Sequence, residues 1–240
     1  MHLTRFRFNT ARIGARRLLA SPQAMHAAVL ASFPDILPSD PRDRGGARVL
    51  WRVDRNARAE VFLYVVSPSR PDLTHLAEQA GWPTQPEWQT RDYAPFLDRL
   101  TKGDIWAFRL TANPVHSIRR HEDEPTKVTA HVTPRHQMGW LLQRQAAAGF
   151  RVLEKPPEQR RLPQGDEHQL IVHDRRRLDF GKSEEAPSGK PRKNRVTLST
   201  ATFDGRLEVT DPDALRRALT SGIGRAKAYG CGLMTLAPAG

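Results

Sequence analysis

Two stretches near the start set the plan of the chain: His2-Leu3-Thr4-Arg5-Phe6-Arg7-Phe8 and Ser21-Pro22-Gln23-Ala24-Met25-His26. In the first, Phe6 and Phe8 share one face and Arg5 and Arg7 the other, the period-two pattern of a half-buried strand over about residues 2 to 9. In the second, a serine cap precedes proline at the first helical position, which predicts a helix from Pro22 to about Ser32. A basic connection carrying Arg12, Arg16 and Arg17 joins them. Met25 and Val29 fall on the buried side of the helix, and His26, about 100° further round, falls on its rim. A strand followed by a capped helix is how a split βαβ unit begins.

Pro34 and Pro38 end the helix, and Ser39 to Arg48 reads as a loop. Val49, Trp51 and Val53 on one face, then Val61 to Val66, predict two strands paired through a turn near Asn56. Short helices are expected around Leu73 to Gln79 and Tyr93 to Leu100, and Ile105 to Leu110 is expected to close the first half as its fourth strand. In the second half, a strand at Lys127 to Val132 precedes a helix started by Thr133-Pro134 and ended by Gly149, and Phe150 to Leu153 is extended. His168 to Val172 should pair with Val196 to Phe203 across a long polar tip, expected to be mobile. Asp204-Gly205 reads as a two-residue turn sending Arg206 to Thr210 back along that strand. Asp211-Pro212 starts a helix that Gly222 ends, and Leu233 to Leu236 is a last strand. Both halves fit the split βαβ plan, so the expected fold class is α+β, with two tandem ferredoxin-like domains over residues 1–113 and 114–240.

The 38 Lys and Arg residues outnumber 26 Asp and Glu, and a net charge of +12 points to a polyanionic partner. There is no apolar run of about 18 residues and no continuous apolar stretch at the N-terminus, so neither a membrane span nor a secretory signal is expected, and cytoplasm is the default. Cys231, the one cysteine, excludes a disulfide within the chain and reads as a small filler between two glycines.

The densest basic feature is one hairpin with Arg175, Arg176, Arg177, Lys182, Lys190, Arg192, Lys193 and Arg195 against Asp179, Glu184 and Glu185. A β-ribbon is narrow enough to approach a duplex groove, and guanidinium forks suit phosphate oxygens and guanine edges. The glycine-rich segment Gly222 to Gly232 lacks the order of a nucleoside-triphosphate loop. With Arg225 and Lys227 it is either a backbone anion nest or a tight helix-to-strand connection.

RNA carries its own nucleophile, since its 2′-hydroxyl attacks the adjacent phosphate once a base removes the proton and an acid protects the leaving 5′-oxygen. Histidine suits either task near neutrality. Of nine histidines, His26 is the candidate, because an early turn of a capped helix favours its neutral, base-competent form. His131 and His136 flank a helix start, and His116, His121, His168 and His173 lack carboxylate or cysteine spacing for zinc, so no metal and no cofactor is expected.

Three segments together resemble the CRISPR-associated endoribonucleases of the CasE or Cse3 type, the type I-E members of a wider repeat-cleaving family. They are the Leu3-Thr4 to Asn9 strand, the Ser21 to His26 helix start, and the Gly222-Ile-Gly-Arg-Ala-Lys-Ala-Tyr-Gly-Cys-Gly-Leu-Met-Thr-Leu end, supported by Trp51-Arg52, Phe108 to Pro114 and Phe203 to Pro212. The resemblance runs from end to end. It implies two tandem ferredoxin-like domains, a second-domain hairpin on the RNA stem, and metal-independent cutting on the 3′ side of that stem. It also implies retention of the mature crRNA, assembly with the other subunits of the Cascade complex, and His26 at the catalytic histidine. Some relatives carry tyrosine where this chain has Gln23, which cannot act as an acid. The second catalytic group stays open among Lys227, Arg225 and the arginines at 12, 16 and 17, each able to stabilise a charged phosphorane by proximity.

Two other functions compete. One is a non-catalytic subunit that holds an RNA hairpin in a ribonucleoprotein, with His26 an ordinary helix-rim residue. The other is a DNA-binding regulator, for which the helix from Pro134 to Ala148 offers few base-reading side chains. The aromatic signature of a sheet that reads single-stranded RNA is absent.

Overall fold

The computed structural model describes residues 1–33, 48–83, 88–118, 126–162, 165–184 and 192–239, with backbone alone at 182–184 and 192–194. The first sheet is built from β1 (His2–Phe8), β2 (Leu50–Arg55), β3 (Val61–Ser67) and β4 (Trp88–Asp92), in the order β2-β3-β1-β4 with every pair antiparallel. Helices α1 (Ile13–Ala20) and α2 (Pro22–Leu30) link β1 to β2, and α3 (Thr74–Ala80) links β3 to β4. This is the βαββαβ order of a ferredoxin-like domain. A short α4 (Ala94–Asp98) leads into the second sheet.

The second sheet repeats the plan with two insertions. Its strands are β5 (Ile105–Ala112), β8 (Phe150–Val152), β10 (Arg192–Val209) and β11 (Met234–Pro238), in the order β11-β5-β10-β8. The hairpin β6 (Val115–Ile118) and β7 (Lys127–Ala130) is inserted before α5 (Pro134–Gln145), and α6 (Pro212–Ser221) joins β10 to β11. β9 (Leu170–Glu184) continues the edge begun by β8 and pairs with β10 from Gly205 out to Arg192. The fold is therefore α+β with two tandem ferredoxin-like units.

Burial explains the local choices. Thr4, Phe6 and Phe8 alternate inward on β1, and Phe6 and Phe8 pack with Leu18, Met25, Val29 and Leu76 of the three helices. The helix caps act as read from sequence: Ser21 Oγ accepts from the Ala24 amide, Thr133 Oγ1 from His136, and Asp211 Oδ1 from Ala214. The opposite face of the first sheet is buried too. Leu50 and Val66 join Tyr93, Leu97 and Leu100 in one core with Leu110, Phe203, Leu215 and Met234 of the second unit.

Several sequence expectations are corrected. The basic stretch at Arg12 to Arg17 is not a loop but the start of α1, which no side chain caps. Buried Ala15 and Leu18 hold it, and Gly14 lets it approach the α3 backbone, where an added Cβ would meet Gln79 O at 2.4 Å. Such tertiary packing leaves no local start signal. The fourth strand of the first sheet is β4, missed because Trp88-Gln-Thr-Arg-Asp has little apolar alternation. Ile105 to Ala112 does not close the first half, since it lies between β10 and β11 in the second sheet. A division at residue 113 would cut β5 from both neighbours, and the sheets divide the chain between β4 and β5 instead. Alternation identifies a strand but not the sheet that receives it.

Asp204-Gly205 is not a turn either. Both residues continue β10, Asp204 opposite Arg109 and Gly205 opposite Phe108. Glycine is needed there for close approach, because an added Cβ would lie 2.5 Å from Gln169 O and 2.9 Å from the Phe108 ring. The basic hairpin is longer than expected, with paired backbone to Glu184 and Arg192, and the supposedly mobile tip falls outside the described residues. The expected loop before Arg48 also falls outside them, as does His121.

The two units are pinned by Arg52, 1% exposed, on β2. Its guanidinium donates Nε and Nη2 to Asp54, Nη1 to the carbonyls of Arg109 and Leu233, and Nη2 also to Thr235, all at 2.7 to 2.8 Å. All five donors of the fork are used, three of the five partner atoms belonging to the second unit. Arg52→Ala should lower stability by about 3–5 kcal/mol, because it leaves two carbonyls without this donor and the Asp54 carboxylate with only the longer contact to Arg109 at 3.9 Å. Arg52→Lys should recover only part of that, since an ammonium cannot reproduce the fork. Urea unfolding of the two variants against wild type measures both effects.

Candidate active site and nucleic-acid interface

Helix α2 is fixed at its start by the Ser21 cap and from the side by His75 of α3, whose Nε2 lies 2.9 Å from Ala28 O. Met25 and Val29 face the core, which leaves His26 half-buried at the rim. Trp51 Nε1 donates to His26 Nδ1 at 3.4 Å. Burial holds the His26 pKa below its ordinary 6.5 and favours the neutral ring. Helix-dipole reasoning pointed the same way, but desolvation is the cause here.

The Trp51 ring is buried between α2 and the glycine-rich segment. Gly230 lies on it with φ of 78°, and an added Cβ would stand 2.7 Å from Cζ3 of the indole. Gly224, with φ of 83°, lies likewise on Trp140 at 2.9 Å. Both positions need glycine for conformation and for space. The segment is closed at its base by Ile223 N to Gly232 O at 2.9 Å, and its short 3-10 turn Lys227–Tyr229 packs on α2. Cys231 within it is buried and its thiol pKa is pushed up to about 12, consistent with a filler role.

Beside α2 the two units leave a cleft lined by Met25, Trp51 and Arg55 on one side and by Thr111, Asp174, Arg176, Thr200 and Tyr229 on the other. His26 adjoins this cleft through Met25 and Trp51. Tyr229 also lines a second groove, between the β6–β7 hairpin and the ribbon, with Asn113, Lys127, Arg177, Ser199 and Arg225. A third hollow holds His131, Gln137, Arg175, Arg176 and Arg177. Among the described residues no carboxylate lines either of these two, and although Arg176 is paired with Asp174, the net positive lining suits a phosphate backbone. Phe180 on β9 meets Tyr229 edge to face at 4.9 Å, tying ribbon to glycine segment.

The structure brings the sequence candidates together unequally. Arg175, Arg176, Arg177 and Arg225 border the grooves; Arg176 also pairs with Asp174 at 2.7 Å, and Arg175 donates to Val132 O at 3.3 Å. Arg16 and Arg17 are exposed on α1. Arg12 instead donates to Ala77 O and Gly81 O, closing the end of α3. Lys227 donates to Ser221 O at 2.6 Å, and burial, then the charge of Arg48, lowers its pKa. It ties the glycine segment to α6. Arg192 and Lys193 stand on the β10 backbone, and Lys190 lies outside the described residues. His116, His131 and His136 stack at 4.3 and 5.9 Å between ring centroids, and among the described residues no three His, Cys, Asp or Glu side chains are grouped to hold a metal ion.

The family model described as CRISPR associated protein matches residues 1–238. The chain belongs to that family. A curated relative of this family member, the CRISPR-associated endoribonuclease Cse3 of Thermus thermophilus, is 33% identical over 242 residues, spanning 99% of this chain and all of the relative. Among solved structures, CRISPR endoribonuclease Cse3 bound to 19-nucleotide RNA superposes with a TM-score of 0.71 at 27% identity, covering 99% of this chain and all of that one. Thermus thermophilus Cse3 with an RNA representing a pre-cleavage complex gives 0.69 at 28% identity, covering 99% and 98%.

Sequence reasoning missed Trp51 as a partner of His26 and Arg52 as the pin; Trp51 was read only as a strand residue, and Arg52 entered only through the family resemblance. Lys127 was read as part of a strand, without its groove. None of these has a local signal, since each acts across a sheet or between units.

The lowered pKa has a definite sign for folding. Between the native pKa and 6.5 the unfolded chain binds more protons at His26, so its contribution to stability falls as pH drops through that window and is fully kept above it. An NMR titration of His26 should give a midpoint below 6.5, with the ring neutral at pH 7.

Proposed function

We propose that this family member is a metal-independent endoribonuclease that grips the stem-loop of CRISPR repeat RNA and cuts on its 3′ side, releasing crRNA. The observation that carries the reading is a half-buried histidine whose neutral form burial favours, at the rim of a cleft that shares Tyr229, Arg176 and Thr200 with two grooves lined by arginine and lysine. The relative's name as an endoribonuclease and the RNA held by similar solved structures support it.

In this reaction the 2′-oxygen loses its proton and bonds to phosphorus, the P–O5′ bond breaks, and the 5′-oxygen gains a proton. The chain's tasks are to hold the phosphate in line, neutralise the extra charge and manage those protons. His26 acts at the reacting phosphate. Arg175, Arg176, Arg177 and Arg225 hold backbone phosphates, with Arg16, Arg17, Lys190, Arg192 and Lys193 as further contacts. Arg12 and Lys227 serve the frame around them. Retention of the crRNA, assembly with the other Cascade subunits and a cytoplasmic location complete the proposal. Among the described residues no helix is long and apolar enough to cross a membrane.

The test is cleavage of stem-loop repeat RNAs in EDTA. Wild type should cut, His26→Ala should lose at least about 100-fold in single-turnover rate, and a 2′-deoxy substitution at the cut site should block wild type. Tight binding without cutting by wild type would favour a non-catalytic RNA-hairpin subunit. Arg177→Ala and Arg225→Ala should each weaken binding across all stem sequences and lower the slope of log affinity against log salt by about 1, as expected for phosphate contacts.

A further inference from the structure

The indole N–H of Trp51 points at Nδ1 of His26. A donor must face a lone pair, so a neutral His26 in this geometry carries its ring proton on Nε2. We propose that Trp51 is a positioning residue that fixes His26 in the Nε2–H tautomer, so that the ring meets the RNA phosphate as a hydrogen-bond donor. The proposal rests on reading His26 as the catalytic group.

Trp51 is not free to turn away. Its ring is 4% exposed, and the backbone of Gly230 lies against it, at a φ and a distance that only glycine accommodates. The hydrogen bond therefore joins a rim histidine of the first unit to a tryptophan locked by a loop of the second.

The polarity of this contact is the reverse of the usual one. A catalytic histidine is commonly oriented by a carboxylate or carbonyl that accepts from Nδ1–H and leaves the Nε2 lone pair free as a base. Here the partner donates. Protonating Nδ1 would set two N–H groups against each other, so Trp51 opposes the imidazolium, as burial also does.

Among the described residues the charged and titratable groups around α2, with Arg48 beside Lys227, include no carboxylate left open to take a proton from Nδ1. They are Arg16 and Arg17 on α1, His75 on α3, Asp54 and Arg55 on β2, Asp174 and Arg176 across the cleft, and Lys227 and Tyr229 in the glycine segment. Asp54 is taken by Arg52 and Asp174 by Arg176. Acting as a base at Nε2 would require the proton to move to Nδ1 and would forfeit the indole contact. Stabilising charge on a phosphate or leaving oxygen through Nε2–H keeps it.

Trp51→Phe tests this, since it keeps a ring under Gly230 and removes only the donor. ¹⁵N NMR of His26 in the full chain, alone and with repeat RNA carrying a 2′-deoxy block, should show the Nε2–H tautomer dominant in wild type. In Trp51→Phe the tautomers should mix and the His26 titration should move up towards 6.5. RNA affinity should be unchanged, single-turnover cleavage at pH 7 should fall about fivefold, the worth of one neutral hydrogen bond, and the acid limb of the rate profile should shift up with the titration. A wild-type ring protonated on Nδ1, or identical tautomer and titration in the two proteins, would overturn the proposal. If Trp51→Phe does not fold, the wild-type spectrum alone decides. If His26→Ala cuts as fast as wild type, the catalytic reading fails, while the NMR comparison still judges what Trp51 does to the ring.

Discussion

The buried guanidinium of Arg52 is the contact on which the rest of the molecule depends. A charge this far from water is tolerable only when its donors are all met, and the partners that meet them are Asp54 beside it and three groups of the second unit. The contact therefore specifies a relative placement of the two ferredoxin-like units, because a shifted interface would strand the cation. Around it the second face of the first sheet is apolar, with Leu50 and Val66 entering the core of the second unit. Apolar packing supplies most of the attraction between the units, and the guanidinium selects the register.

That register is what assembles the candidate site. His26 belongs to a helix of the first unit, and Tyr229 and Gly230 to the last loop of the second. Trp51 neighbours Arg52 on the same strand, so its ring faces the opposite side and lies under Gly230 when Arg52 is seated. The same residue pair thus sets the interface on one face of β2 and the environment of His26 on the other. The basic grooves depend on the placement as well, because Arg225 comes from the glycine segment while Arg177 comes from the β9–β10 ribbon.

Charge is distributed by the same logic. Cations that sequence reading grouped together separate into two roles once partners are visible. Arg12, Lys227 and Arg52 cap or close backbone, and Arg195 pairs with Asp179. Arg177 and Arg225 face grooves without acidic lining. A net charge of +12 predicts a polyanion but cannot say which cations meet it.

Much was legible in the sequence because it is encoded locally. Alternation at Phe6 and Phe8, the caps at Ser21, Thr133 and Asp211, and the rim position of His26 follow from backbone geometry within a few residues, and together they gave the α+β class and the βαββαβ plan. What failed was the assignment of partners: Ile105 to Ala112 to its sheet, Asp204-Gly205 to a strand, Arg12 to a helix end, and Trp51 to His26. A strand's period and a helix's cap are properties of neighbouring residues, whereas which sheet a strand joins, and which ring a glycine must lie against, is settled only when distant segments compete for the same buried space.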